Sequence, residues 1–175
     1  LKPILRSEQM ALTVSRLAHQ LLEDPALLEQ TALIGIQPRG VFLSDRLVQE
    51  LQRNGAPAFD YGRLDITFYR DDIRKELHVP AQTQIDFSIE GKRVVLVDDV
   101  LYTGRTIRAA LDALMDFGRP ARVELLVLID RRYTRELPVQ PNYAGRAIDS
   151  IVSQKVKVLW KERDGRDEVI LLDQE

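Results

Sequence analysis

A chain of 175 residues suits one domain with a sizeable core, and 45% hydrophobic with 30% charged residues is an ordinary globular balance. A formal net charge of −2 excludes the strongly basic character that announces a nucleic-acid binder from composition alone, although a local basic patch remains compatible with it. Cysteine is absent, which excludes disulfides and thiolate chemistry; no apolar run is long enough to span a bilayer, and no secretory apolar segment opens the chain. A cytoplasmic protein is the simplest reading, and the start at Leu1 leaves room for a trimmed N-terminal segment.

In chain order, residues 7–23 read as a helix capped by Ser7, with Met10, Val14, Leu17 and Leu21 on one face. Residues 32–36 form a short apolar strand, Gln37-Pro38-Arg39-Gly40 a turn, and a second helix follows with Leu43, Leu47, Val48 and Leu51 inward until Asn54-Gly55-Ala56-Pro57 breaks it. Residues 63–69 alternate as a strand. Residues 70–87 are polar, contain Pro80 and lack a period; their length suits a lid better than a linker. Residues 94–97 form the central strand, 106–117 a helix packing through Ile107, Ala110, Leu111 and Leu114, and Gly118-Arg119-Pro120 ends it. Residues 123–129 are another buried strand. The stretch 131–153, with Pro138, Pro141 and Gly145, is expected to cap the sheet edge as a small hood, and residues 156–160 and 168–172 close the chain as a hairpin around Asp164-Gly165. Strands alternating with helices predict one α/β domain with a mostly parallel sheet covered on both faces.

The segment from Val94 to Ile107 carries the chemistry. An apolar strand delivers Asp98 and Asp99 to the carboxyl edge of the sheet, where open α/β folds bind ligands. The following turn, Leu101-Tyr102-Thr103-Gly104-Arg105-Thr106, offers backbone N–H groups and two threonine hydroxyls at a helix N-terminus, and Gly104 permits close backbone approach. Such a cradle suits a phosphate, whereas an acid pair beside it suits the hydroxyls of a ribose; the ligand read from the turn is a ribose 5′-phosphate. A second strand-turn-helix, from Ile34 to Gly40, offers amides and Arg39 for another anion, a weak signal by itself. Arg70 opens the expected lid and His78 falls within it, without a partner at metal-ligand spacing.

The Val94–Ile107 segment resembles the phosphoribosyl pyrophosphate (PRPP) loop of type I phosphoribosyltransferases: apolar residues, an acid pair, a short spacer and Thr-Gly-x-Thr. The resemblance implies the α/β type I phosphoribosyltransferase fold, with a mostly parallel central sheet flanked by helices, a small hood and a flexible lid loop. It also implies Asp98, Asp99 and Arg70 as catalytic residues, residues 101–106 around the 5′-phosphate, and Pro38, Arg39 and Gly40 as the pyrophosphate loop, with Pro38 where the family commonly has threonine. Mg²⁺ would be held mainly by PRPP and only indirectly by Asp98 and Asp99. Asp65-Ile66-Thr67-Phe68-Tyr69-Arg70-Asp71-Asp72, Gly118-Arg119-Pro120, Asp130-Arg131 and Arg135-Glu136-Leu137-Pro138 narrow the resemblance to the PyrR subfamily of bifunctional pyrimidine-operon regulators and uracil phosphoribosyltransferases. That subfamily implies uracil and PRPP as substrates, base binding at Arg131 and Val156, UMP or UTP as signals, and a homo-oligomer. It also implies a leader mRNA hairpin as partner, contacted through Ser15, Arg16, His19, Arg135 and Arg146. Arg132-Tyr133-Thr134 replaces a shorter Gly-His of the subfamily beside the base pocket. The alternatives are an RNA-binding attenuation regulator with weak or no catalysis, and a phosphoribosyltransferase for another base.

Overall fold

A computed structural model describes residues 1–71 and 82–173. Its centre is a five-stranded sheet in the order β3-β2-β4-β5-β6, with every neighbouring pair parallel. The strands are β2 (Thr31–Ile36), β3 (Asp60–Leu64), β4 (Arg93–Leu101), β5 (Arg122–Arg132) and β6 (Tyr143–Asp149). Helices α1 (Ser7–Leu22), α2 (Pro25–Glu29), α3 (Gly40–Arg53) and α4 (Arg105–Leu114) complete this unit. Successive residues of a strand point to opposite faces. Val95 and Val97 of β4 therefore meet Met10, Leu17, Leu43 and Leu47 of α1 and α3, while Val94 and Leu96 meet Ile107, Ala110 and Leu114 of α4. A continuously apolar β4 is what coverage on both faces demands.

The other sheet has three strands in the order β1-β8-β7, all antiparallel. It joins β1 (Lys2–Arg6) to a C-terminal hairpin of β7 (Gln154–Leu159) and β8 (Glu168–Asp173), whose connection contains α5 (Lys161–Asp164) and Gly165 at φ 77°. The expected hairpin is present; β1 and α2 were not foreseen.

Several expected boundaries move. Ser7 is the first helical residue of α1 and not its cap: the Arg6 N–H donates to the Gln9 side chain at 2.9 Å. The strand expected over 63–69 lies earlier, at β3, because Asp60 to Leu64 pair with Ala32 to Ile36; the Asp65 carboxylate then accepts from the Thr67 N–H and hydroxyl and turns the chain into a short 3₁₀ segment, Thr67–Tyr69. The helix expected over 106–117 ends at Leu114 and continues as a 3₁₀ turn, Met115–Phe117. The stretch 131–153 is not simply a hood. The expected hood, 131–153 together with the C-terminal hairpin, is divided: residues 143–149 become the edge strand β6 of the main sheet, and the hairpin joins β1 in the three-stranded sheet. Of the expected lid, residues 72–81, with His78, lie outside the described residues. Its far end is docked: Gln84 exchanges backbone hydrogen bonds with Arg63 at 3.0 and 2.8 Å.

Candidate active site

The site forms where β4 outruns one of its neighbours. β2 pairs with β4 only as far as Gly35 opposite Val97, whereas β5 follows β4 to Leu101 opposite Asp130. The sequence reading ended the strand at Val97; the β5 pairing carries it through the acid pair to Leu101. Asp98 and Asp99 therefore sit in regular strand at the carboxyl edge, beside the gap that β2 leaves, and both are buried. An Asp98 oxygen accepts from the Asp99 N–H at 2.9 Å, and an Asp99 oxygen accepts from the Val100 N–H at 2.8 Å. Burial, then the neighbouring Asp99 charge, pushes the Asp98 carboxyl well above the ordinary carboxylate range, with the positive charge of Arg70 opposing.

The turn after β2 closes the gap. A Cβ on Gly40 would lie 2.4 Å from the Val97 carbonyl oxygen and 3.0 Å from the Asp98 Cα, so only glycine lets the start of α3 rest on the backbone of the acid pair. The Gln37–Pro38 bond is cis. Arg39 donates from Nε to Asp99 at 3.0 Å and from Nη2 to the Val158 carbonyl of β7. One guanidinium thus links the expected pyrophosphate turn, the acid pair and the hood.

On the other side of the acids, Tyr102 to Gly104 turn the chain into α4, with Gly104 at φ 94°. The Arg105 N–H donates to the Thr103 hydroxyl at 3.3 Å, and the Thr106 hydroxyl accepts from Arg70 at 3.1 Å. The turn is braced from outside. The Thr103 carbonyl accepts from the Glu136 and Leu137 N–H groups, and the Tyr102 carbonyl accepts from Arg135 at 2.9 Å. Arg105 pairs with Glu136 at 2.6 Å and Asp71 at 2.8 Å. Asp98, Asp99, Arg39, Gly40, Arg70 and Thr106 are consequently brought together at one sheet edge.

The remaining expected residues separate into groups. Arg131 is buried, bonded to Ser150 and to the Ile151 and Gln154 carbonyls; Val156 is half-buried on β7. Arg16 of α1 donates to the Ala144 and Gly145 carbonyls of β6, and Arg146 of β6 donates to the Ile4 carbonyl of β1 at 2.9 Å. Both are exposed, as is His19, whose Nδ1 lies 2.7 Å from the Ser15 carbonyl. Arg135 departs from this group. Its guanidinium is turned onto Asp130 and the Tyr102, Arg131 and Val139 carbonyls, which makes it a brace of the phosphate turn. Sequence reasoning missed Val158 and Ser150, because nothing local marks a carbonyl or a hydroxyl that a distant arginine will use. The close approach at Gly40 had a signal, a glycine opening a helix directly after a strand.

Among the described residues no cluster of three or more His, Cys, Asp or Glu could hold a metal ion by itself. An adjacent acid pair fits Mg²⁺ that arrives with phosphate oxygens and water and takes few protein carboxylates.

The phosphoribosyl transferase domain model matches residues 1–163. A protein of Picosynechococcus sp. described as bifunctional protein PyrR is 45% identical over 170 residues, covering 97% of this chain and 96% of its own. One of the same description from Gloeothece citriformis is 46% identical over 170 residues, covering 97% and 96%. The crystal structure of the Trypanosoma cruzi hypoxanthine phosphoribosyltransferase superposes with a TM-score of 0.74 over 100% of this chain and 98% of that one, at 18% identity, a likeness of fold.

Proposed function

The chain belongs to the phosphoribosyl transferase domain family, in its PyrR branch, and from that premise we propose that it converts uracil and PRPP to UMP and pyrophosphate and also regulates pyrimidine-biosynthesis genes through a leader RNA. The observation that carries the catalytic half is the acid pair held between two anion seats: the Gly40 turn rests on Asp98 from one side, and the Thr103–Thr106 turn follows from the other. A ribose with a 5′-phosphate at one end and a diphosphate at the other has the charge pattern that this arrangement complements.

In the transfer the bond from the anomeric carbon to the diphosphate oxygen breaks, N1 of uracil bonds to that carbon, and the N1 proton passes to the departing diphosphate. Positive charge develops on the ribose ring, and the Asp98–Asp99 pair supplies the preorganised negative charge that stabilises it. Arg39, which donates to Asp99, turns to the leaving diphosphate, and Arg70 can do so from the Thr106 hydroxyl. Asp98 and Asp99 are the residues that would face a Mg²⁺ ion brought in with PRPP, which would offset diphosphate charge. Hood strand β7, with Val156, covers the base side and excludes water that would hydrolyse PRPP.

A PRPP-dependent assay against uracil, hypoxanthine, guanine, xanthine and orotate tests the reading: UMP should form from uracil, and turnover of a purine in its place would overturn the base assignment.

The regulatory half is supported by the exposed arginines at the α1–β6 seam and by relatives described as bifunctional. UMP or UTP is its signal on this reading, and the working form is a cytoplasmic homo-oligomer. No helix among the described residues is long and apolar enough to cross a membrane.

A further inference from the structure

We infer that Arg108 is a positioning residue for Arg70: it fastens the peptide that leads into Arg70 to α4, so that the Arg70 side chain is delivered to the leaving diphosphate. The inference rests on the transferase reading above and deepens it.

Arg70 belongs to no helix or strand. It follows the 3₁₀ segment Thr67–Tyr69 in an extended conformation, at φ −76° and ψ 135°. A residue placed so has no helix or sheet ladder to fix its backbone, and α4 supplies the fixing from one stripe of its surface. Arg105, Arg108 and Asp112 follow one another at three and four residues and so share a helix face. Arg108 donates from Nη2 to the Tyr69 carbonyl at 3.1 Å and from Nη1 to Asp112 at 2.9 Å. Arg105 donates to Asp71 at 2.8 Å, and Arg108 lies 3.7 Å from the same carboxylate. The Tyr69 hydroxyl donates to Asp116, just past the end of α4. The residues on both sides of Arg70 are thus tied to the helix that the phosphate turn opens. Between them the Arg70 side chain donates to the Thr106 hydroxyl at 3.1 Å, and its positive charge bears on Asp98.

The tie through Arg108 differs from the others in gripping main chain. The Tyr69 carbonyl lies in the peptide plane that ends in the Arg70 nitrogen, and that plane is rigid. Holding it aims the Arg70 Cα, while the side-chain torsions stay free to carry the guanidinium from Thr106 to a diphosphate. The contact with Asp112 orients the Arg108 guanidinium, whose Nε is buried without a partner among the described residues. A planar fork can bridge a carboxylate and a carbonyl at once; an ammonium of the same charge cannot reproduce that geometry.

A double-mutant cycle tests the inference. Arg70→Gln should lower kcat/KM for PRPP by about 10²-fold, the scale for one preorganised electrostatic contact. Arg108→Gln should lower it by about tenfold and leave the KM for the base within about twofold. Because Arg108 acts through Arg70, adding Arg108→Gln to Arg70→Gln should lower kcat/KM by less than about twofold more. A side chain that merely braced α4 would show the same loss in both backgrounds. Amide hydrogen exchange of residues 66–71, measured without substrate, should accelerate in Arg108→Gln while that of residues 102–106 stays as in the wild type. Activity of Arg108→Gln within about twofold of wild type, or equal losses in the two backgrounds, overturns the inference. If Arg108→Gln does not fold, Arg108→Lys decides by the same criteria. Full activity of Arg70→Gln would remove Arg70 from the transferase reading and take the inference with it. Exchange over residues 66–71 that is unchanged in the Arg108 variant overturns the inference whether or not the chain transfers ribose phosphate.

Discussion

Asp98 and Asp99 are neighbours in sequence and differ in surroundings. Asp99 faces Arg39, whereas Asp98 is buried beside a second carboxylate, with the charge of Arg70 opposing the rise of its pKa. Asp99→Asn should leave the fold intact and lower transferase turnover by about 10²-fold, the scale for losing one preorganised electrostatic contact; turnover within a few-fold of wild type would remove Asp99 from the chemistry. Asp98 predicts a pH effect. Between the ordinary carboxylate value and its raised one, the folded chain keeps a proton that the unfolded chain has released, so this residue's contribution to stability falls as pH rises. Asp98→Asn should therefore raise the melting temperature of the ligand-free protein near neutral pH and leave it unchanged in acid, while reducing turnover. A variant that melts lower than wild type at neutral pH would show that the ionised carboxylate is needed by the fold.

Among the elements, one side chain of α3 supplies the ion pairs that help attach the hood to the main unit, beside a shared apolar core. Arg46 lies over Trp160 at 4.9 Å from the ring centroid and pairs with Asp167 and Glu162, each at 2.7 Å. Phe42, one turn earlier, stacks on the same indole with ring centroids 6.1 Å apart. Arg46→Met keeps some of the packing and removes the ion pairs, and should lower stability by about 2 kcal/mol, the scale of hydrogen bonds to charged groups. Trp160, the chain's single tryptophan, reports the change by its fluorescence. The hydrogen bond to Arg46 holds the Glu162 carboxyl below its ordinary value, and Asp167, despite the opposing effect of burial, is lowered by the same arginine. Their contribution is present above the ordinary carboxylate range and is lost as pH falls through the lowered values. The stability difference between wild type and Arg46→Met should accordingly shrink in acid; a constant difference would assign the loss to packing. The phosphate turn makes its own prediction: a crystal with UMP should show the phosphate against the Thr103–Thr106 amides and hydroxyls, with Arg70 displaced from Thr106.

At the scale of the whole molecule, the proposed activities occupy different surfaces. The acid pair lies at the carboxyl edge of the sheet, and Arg16 and Arg146 flank the seam of α1 with the edge strand β6. Arg16→Gln and Arg146→Gln should each weaken binding to leader RNA and reduce its salt dependence by the lost phosphate contact, with uracil transfer nearly unchanged. Binding should strengthen with UMP or UTP, because a nucleotide signals only through differential affinity for the RNA-bound state. Gel shifts with and without nucleotide check this; equal binding to an unrelated hairpin in both conditions would leave a transferase alone.

What the sequence determined by itself is local. Val94 to Thr106 reads as strand, acid pair, turn and helix start because each step rests on neighbouring residues: an apolar run, two carboxylates, then Gly104 where φ is positive. The helix faces of Met10, Leu17, Leu43 and Leu47 and the closing hairpin were legible for the same reason, a period within one element. The tertiary structure alone decided what depends on partners far along the chain. β1 is short and mostly exposed, and becomes a strand because β8 offers it an edge; residues 143–149 lack a continuous apolar run and become a strand because β5 does. The acids remained in regular strand through their pairing with β5, which no local pattern encodes. Arg39 finding both Asp99 and the Val158 carbonyl, and Arg131 finding the 150–154 turn, are meetings of a cation with oxygens that almost every residue of the chain could supply. A backbone carbonyl carries no sequence signature, so only packing selects which one is used.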